Sequence, residues 1–201
     1  MKFIIIICSI IISANLPAQE LNFKSIIGNA KKSYAAGNLE DAHFALQQSM
    51  QELDIVIGKE VLKLLPQKMG DAGIVTAEDN VTGNVSFIGA TIHRSYTTPN
   101  KKVMVEIINN SPMLGALNTF LTNPLLAGMG SDGKSKVLKV QGYKSRLTKE
   151  DNSEDATKIP YKMEIPFSNA LVTFTSTNSS ESEMIALANT IPFDQIAKLI
   201  Q

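Results

Sequence analysis

The sequence predicts an α+β fold: an N-terminal helical hairpin, then a roughly five-stranded antiparallel sheet with helices packed on one face. Three observations predict this fold class. Apolar residues recur every three or four positions across residues 22–65. Five short segments within residues 85–175 are either apolar throughout or alternate between apolar and polar residues. Because the connections between most of these segments are of hairpin length, antiparallel pairing is favoured.

Residues 1–18 have the composition of a secretory signal peptide. Lys2 precedes an uninterrupted run of apolar or small residues at positions 3–14, and Ala18 offers a small residue for cleavage. A membrane-spanning helix needs about 20 apolar residues, so we expect export and cleavage after Ala18 rather than a retained transmembrane segment. Cys8 lies inside the apolar run and not at its end, so we do not expect a lipoprotein.

The composition of the cleaved chain excludes several chemistries. Cys8 is the only cysteine, so its removal excludes disulfides, thiolate metal sites and cysteine nucleophiles. Without Lys2, 18 basic residues balance 19 acidic ones, which does not favour a nucleic-acid partner. The Ile-rich leader and the Ala-Gln-Glu that follows are similar to those of secreted Bacteroidota proteins. We therefore expect a periplasmic or extracellular protein.

Residues 19–66 are predicted to form a helical hairpin followed by a short helix. The apolar periodicity breaks at Gly37-Asn38, where Gly37 suits the end of one helix and Asn38 can cap the next. Residues 59–66 are predicted to be a separate short helix that ends at Pro66.

This hairpin resembles one tetratricopeptide unit. The matching positions are Tyr34, Gly37, Ala42, Leu46 and Ser49. The resemblance covers about 30 residues and implies a protein-docking hairpin, with Tyr34, Leu39 and Leu46 as candidate contact residues. Because tetratricopeptide arrays bury a continuous core over three or more units, the alternative is a plain hairpin packed against the rest of the protein.

Residues 67–84 are rich in Gly, Asp, Asn and Thr and are predicted to be a linker to a second domain at residues 85–201. Helices are predicted to start at Ser111-Pro112, at the capping box Ser180/Glu183 and at Pro192. The predicted strands are residues 85–96, 103–109, 137–147, 161–167 and 171–175. This order of elements resembles PsbP-like domains and several families of secreted bacterial proteins over about 115 residues, and it implies no functional residue.

Residues 128–135, GMGSDGKS, match both G-x-x-x-x-G-K-[ST] and G-x-G-x-x-G. A phosphate-binding loop follows a strand and opens a helix, whose N-terminal amide groups then face the phosphates. Here an apolar helix precedes the loop and a strand follows it. We therefore predict a helix end and a turn, and no nucleotide ligand.

His93, Arg94 and Glu106 are the residues to inspect for catalysis. Glu106 is an acid in an otherwise apolar segment, and His93 lies beside Arg94 on the preceding strand. The only other histidine, His43, is in the hairpin, so the sets of two or three histidines typical of zinc enzymes are not expected. A pocket where all three residues meet would favour a hydrolase-like enzyme.

Two charged segments have less specific patterns. Alternation puts Lys136, Lys144 and Arg146 on one face of the strand predicted at residues 137–147 and Lys139 on the other. This pattern has two interpretations: a surface that binds an anionic partner, or an edge strand that its lysines protect from pairing. Residues 150–155 are acidic but lack the spacing of a calcium loop, and a solvated hairpin tip is expected.

The leading hypothesis is a non-catalytic exported protein that binds a protein or an envelope component. One alternative is a carrier of a small apolar ligand in a cavity between sheet and helices. The other is a small hydrolase-like enzyme. No cofactor or metal is expected from the motifs present.

Overall fold

A computed structural model describes residues 23–84, 89–123, 134–150 and 160–200. The chain begins with helix α1, Phe23–Ala35, and helix α2, Leu39–Leu64. They are joined at Gly37, whose φ of 79° is a conformation that glycine adopts without steric cost. The predicted helical hairpin is confirmed.

Helix α2 is continuous through the segment predicted to be a separate short helix. Gly58 does not interrupt it, because here the glycine permits close packing: a Cβ at this position would lie 2.6 Å from Cγ1 of Val81 and 3.2 Å from Cγ1 of Ile92. The helix ends before Pro66, as predicted. Its 26 residues span about 39 Å.

The predicted linker at residues 67–84 is wrong, because this segment contributes three strands to the sheet. They are β1, Lys68–Met69, β2, Ala72–Ile74, and β3, Asn80–Gly83, with a 3-10 turn at Thr76–Glu78 between β2 and β3. The strands β2 and β3 pair with successive parts of the same neighbour. With two to four residues each, they are too short for alternation to identify them.

Six longer strands complete the sheet: β4, Ala90–Thr98; β5, Lys101–Asn109; β6, Ser135–Val140; β7, Tyr143–Lys149; β8, Tyr161–Phe167; and β9, Ala170–Ser176. The described residues thus form nine strands rather than five, and all pairings between these strands are antiparallel. Their order is β1-β2-β4-β5-β9-β8-β7-β6, with β3 beside β4. The apolar segment at residues 103–109 is therefore at the middle of the sheet, as predicted.

One face of the sheet carries the main core. Alternate residues of the central strands, including Val105, Ile165 and Phe174, are fully buried on it. The second half of α2 covers this face together with helices α4, Glu181–Ala188, and α5, Phe193–Leu199. Rings of Tyr143, Phe167 and Phe193 pack here with centroids 4.9–5.9 Å apart. These rings pack between the sheet and the helices, the region in which the carrier hypothesis places its apolar ligand.

Helix α3, Leu114–Thr122, packs on the opposite face. Its Leu117 and Leu121 are buried against Leu171 of β9, whose neighbours Ala170 and Val172 belong to the main core. The prediction that all helices pack on one face is therefore wrong for α3. The capping box at the start of α4 is confirmed, since Ser180 and Glu183 exchange both hydrogen bonds.

Candidate functional site

The sheet face beneath α3 carries a row of polar side chains across five adjacent strands. Register pairs place His93 opposite Glu106, Glu106 opposite Thr173, Thr173 opposite Glu164, and Glu164 opposite Arg146. Residues directly opposite each other in a sheet project to the same face. The row therefore brings together residues that are up to 71 positions apart, from His93 on β4 to Glu164 on β8.

The charges at one end of this row neutralise each other. Arg146 donates from Nε to Glu164 Oε2 at 2.7 Å, and Lys162 Nζ lies 3.3 Å from Glu164 Oε1. The guanidinium carbon of Arg146 is 5.1 Å from the ring centroid of Phe120 on α3. Because the Glu164 side chain is only 3% exposed, this cluster holds α3 over the sheet rather than offering a charge to a ligand.

The three residues singled out for catalysis do not converge. His93 and Glu106 face each other on the polar face, but Arg94 alternates to the core face and is buried. There Arg94 donates from Nε and Nη2 to the two carboxylate oxygens of Asp79 at 2.9 and 2.7 Å, and from Nη1 to the carbonyl of Leu65 at 3.1 Å. Arg94 is therefore engaged in joining the turn before β3 to the end of α2.

A serine lies beside His93 without forming an accessible nucleophile. Nε2 of His93 is 3.1 Å from Oγ of Ser95, but Ser95 is 0% exposed. Glu78 covers this position, and hydrogen bonds from Lys102 and Ser95 lower the pKa of its carboxyl group. A substrate on the surface cannot reach the Ser95 hydroxyl group, so the neighbouring histidine has no nucleophile here to activate.

Burial gives Tyr96 a purely structural character. Desolvation raises the pKa of Tyr96 to about 12, partly opposed by the nearby Arg94. Its hydroxyl group donates to the carbonyl of Pro66 at 2.8 Å. Tyr96 therefore fastens the end of α2 to the sheet, together with the Arg94–Asp79 pair.

The lysine face predicted for residues 137–147 is wrong, because the segment is a hairpin and not one strand. It turns at Gln141-Gly142 between β6 and β7, and Lys139 lies opposite Lys144 while Lys136 lies opposite Leu147. Lys139, Lys144 and Arg146 therefore share the polar face, and Lys136 belongs to the core side, where it pairs with Glu181. Because the chain turns back at Gln141-Gly142, the alternation in β7 is offset by one residue from that of a single continuous strand.

Two sequence features lie largely outside the described residues. In the glycine-rich segment GMGSDGKS, the structure describes Lys134 and Ser135, and in the acidic segment at residues 150–155 it describes Glu150. Within the described ranges, no group of three or more His, Asp or Glu side chains is placed to hold a metal ion, and no helix is long and apolar enough to cross a membrane.

An open cleft of about 570 Å³ lies at the end of the sheet formed by the β1–β2 and β4–β5 turns and the start of α4. Lys101 lies within it, 12% exposed, with its ammonium group 3.0 Å from Asp71 and 3.7 Å from Glu183. The hydrogen bond from Lys101 lowers the pKa of Asp71. The two carboxylates more than neutralise the lysine, so the described lining of this cleft offers no unpaired cation for an anionic ligand.

The helical hairpin carries most of the exposed apolar surface. Among the described residues twelve large apolar side chains are exposed, and nine of them are on α1 and α2. They include the three candidate contact residues, Tyr34, Leu39 and Leu46, which are 71%, 63% and 49% exposed. The complete set on the hairpin is Phe23, Ile27, Tyr34, Leu39, Phe44, Leu46, Met50, Leu53 and Val56.

Seven of these side chains form one surface, which we call the apolar stripe: Phe23, Ile27, Tyr34, Leu39, Leu46, Met50 and Leu53. The helices contact each other through Ile26 and Ala30 of α1 and Ala45 of α2. At 100° per residue, the stripe positions lie about 60° from the contact positions on α1 and about 110° from Ala45 on α2, in both cases rotated in the direction of chain advance. In an antiparallel pair these two rotations lead to the same side of the hairpin.

Sequence reasoning identified three residues of the stripe and missed four. Ile27, Met50 and Leu53 belong to the predicted apolar periodicity and Phe23 lies just before it, but a period alone does not reveal whether that helix face is covered. The available signal was the excess of apolar positions on α2, because small residues at the α1 contact, such as Ala42 and Ala45, leave the larger ones unpartnered. Comparison with family models, with curated proteins and with solved structures gives no match.

A buried polar cluster anchors the middle of α2 to the sheet. Asp54 accepts a hydrogen bond from the backbone N–H of Gly89, while its Oδ2 atom has no hydrogen-bond partner among the described residues. Burial raises the pKa of Asp54, and the Gly89 hydrogen bond opposes this only in part. Folding therefore favours the protonated form of this side chain.

We expect Asp54→Asn to stabilise the protein at neutral pH. The pKa of Asp54 is raised in the folded state. Its contribution to the free energy of unfolding is therefore fully present below pH 3.8, the ordinary pKa of this group, and is lost as the pH rises through the folded-state pKa. The amide removes this cost, so the free energy of unfolding should rise by about 1 kcal/mol at pH 7 and should not change at pH 3. Urea unfolding at both pH values tests this, and a destabilised variant at pH 7 would contradict it.

Proposed function

We propose that this chain is an exported, non-catalytic interaction protein whose helical hairpin docks a protein partner through the apolar stripe. The observation that carries the proposal is the concentration of exposed large apolar side chains on α1 and α2, whereas the described strands expose only one, Val137. Exposed apolar patches of more than a few hundred Å² are uncommon on monomers and mark interaction sites.

The anchoring of α2 supports this function. Its second half packs in the main core through Val61 and the partly buried Leu62 and Leu64. The same helix carries Leu39, Leu46, Met50 and Leu53 further towards its N-terminus. A docking surface on a rigid helix loses little conformational freedom on binding, so more of the contact energy appears as affinity. The tetratricopeptide-like spacing of Tyr34, Gly37 and Ala42 is consistent with the same use.

Site-specific photo-crosslinking in cells tests the docking surface. We would place a benzoylphenylalanine residue at Met50, in the stripe, and in a matched variant at Phe44, which is 60% exposed on α2 but lies outside the stripe. Adducts of higher mass should form from position 50 and not from position 44. Equal adducts from both positions, or none from position 50, would overturn the proposal.

Export is tested separately by cell fractionation and N-terminal sequencing. We expect the chain outside the cytoplasm, beginning at Gln19, because residues 1–18 have the order of a cleaved signal peptide. Recovery of the chain in the cytoplasm with Met1 intact would contradict this part of the proposal.

A further inference from the structure

We propose that the partner of the apolar stripe is a second copy of this chain, and that two hairpins stack into a two-fold symmetric four-helix arrangement. This inference rests on the proposed function, because it names the occupant of the same surface. It follows from the spacing of the stripe, from the charges of the two helices and from the area exposed.

The stripe on α2 has the spacing of a helix–helix seam. Leu39, Leu46, Met50 and Leu53 are separated by intervals of seven, four and three residues, and Ile57 continues the series four residues later. Intervals of three and four that sum to seven keep side chains on one narrow face of a helix. Ile57 is partly buried against the main core, so the exposed part of this series ends before Ile57.

The two helices carry opposite charges. Helix α1 contains Lys24, Lys31 and Lys32 and no acidic residue. Between residues 39 and 54, helix α2 contains no lysine or arginine. Apart from the buried Asp54, the acidic residues of that part of α2 are Glu40, Asp41 and Glu52. The hairpin therefore presents a basic helix beside an acidic one.

This charge pattern selects one arrangement of two copies. A two-fold axis parallel to the helices sets α1 of each copy on α2 of the other, so that opposite charges meet. A two-fold axis perpendicular to the helices would set α1 on α1 and like charges together, which is unfavourable. At 100° per residue, Lys31 lies about 60° and Glu40 about 110° from the middle of the stripe on its own helix, each on the side away from the hairpin's own helix contact, so the first arrangement places them on the same side of the interface.

The exposed area is sufficient for such a contact. The seven stripe residues are 39–71% exposed, which corresponds to roughly 600 Å² of surface per copy before flanking residues are included. A standard interface buries about 800 Å² per partner. Stripe and flanks together therefore approach the size of a specific interface.

Sedimentation equilibrium of the exported chain tests the inference, with samples up to about 100 µM to cover the micromolar range of such interfaces. We expect a reversible dimer. Leu46→Glu should weaken dimerisation at least tenfold, because it places a carboxylate in the seam. Phe44→Glu is the matched control, since it lies two residues earlier and about 160° around the helix, and it should leave the dimer intact. Circular dichroism of both variants checks that the fold is retained.

Charge reversal provides a second, independent measurement. Lys31→Glu and Glu40→Lys should each weaken the dimer, and the double variant should recover at least part of the loss. A wild-type chain that stays monomeric, or a dimer that Leu46→Glu leaves unchanged, would overturn self-association. If photo-crosslinking at position 50 then gives adducts with a different protein, the docking function stands and only the second copy is rejected. A wild-type chain that stays monomeric therefore rejects the second copy as partner, whereas the absence of adducts from position 50 rejects the docking function.

Discussion

Replacing Asp79 by alanine is expected to lower the free energy of unfolding by about 3–5 kcal/mol. The Arg94 side chain is 6% exposed, and Asp79, itself 16% exposed, accepts two of its hydrogen bonds. Removing the carboxylate leaves a buried guanidinium group that still donates to the carbonyl of Leu65 but has lost its ion-pair partner. An uncompensated buried charge costs several kcal/mol because its hydration is not replaced.

Urea unfolding at neutral pH measures this loss, provided that the slope against urea is unchanged. The matched control is Glu60→Ala, which removes the exposed pair between Glu60 and Lys63 on α2 and should cost less than 1 kcal/mol. Arg94→Met should rescue part of the loss in the Asp79→Ala background, because it removes the orphaned charge. A loss below about 1 kcal/mol for Asp79→Ala would show that water screens the pair.

Replacing Phe193 by alanine should destabilise the protein by about 3–5 kcal/mol. Phe193 is fully buried, and its ring contacts those of Phe167 and Tyr143 at centroid distances of 4.9 and 5.5 Å. The truncation opens a cavity between α5 and the sheet that neighbouring side chains fill only in part. The cost is therefore the lost burial of the ring together with the unfilled volume.

Leu199→Ala is the control for this variant, because Leu199 belongs to the same helix and is 37% exposed. It should cost about 1 kcal/mol or less. Thermal unfolding followed by circular dichroism would compare the two variants at equal concentration. Similar losses for both would mean that α5 is held by its backbone and its ends rather than by the Phe193 ring.

The parts of the fold that the sequence predicts best have strong local signals. The hairpin turn at Gly37, the alternating strand β8 and the capping box Ser180/Glu183 all agree with the structure. Each depends on residues within a few positions of one another, so periodicity and capping chemistry suffice to identify it.

The errors arise where distant partners decide the structure. Strands β1 to β3 are stabilised by pairing with β4 and with each other rather than by their own composition, so their Gly and Asp residues suggested a linker. Asp79 was overlooked for the same reason, although it neutralises Arg94. The short helix predicted from residue 59 is the end of α2, and the close approach of Val81 accounts for the glycine at position 58.

The candidate sites show the same division between local and distant information. Alternation along β4 places His93 and Arg94 on opposite faces, but only the register between strands reveals that Glu106 and Glu164 share a row with His93. For the hairpin, the sequence identifies apolar residues on both helices. Which of them remain uncovered depends on where α1 contacts α2, at Ile26 and Ala30, and that is a tertiary property.

The unequal anchoring of the hairpin has a consequence for its dynamics. Helix α1 is held by the small cluster of Ile26, Ala30 and Ala45, whereas the second half of α2 belongs to the main core. Local opening of α1 therefore requires much less free energy than global unfolding, and the amide protons of α1 should exchange through such sub-global opening. A partner bound across both helices raises the free energy of this local opening by its own binding free energy. Binding of the partner therefore also stabilises α1 against local unfolding.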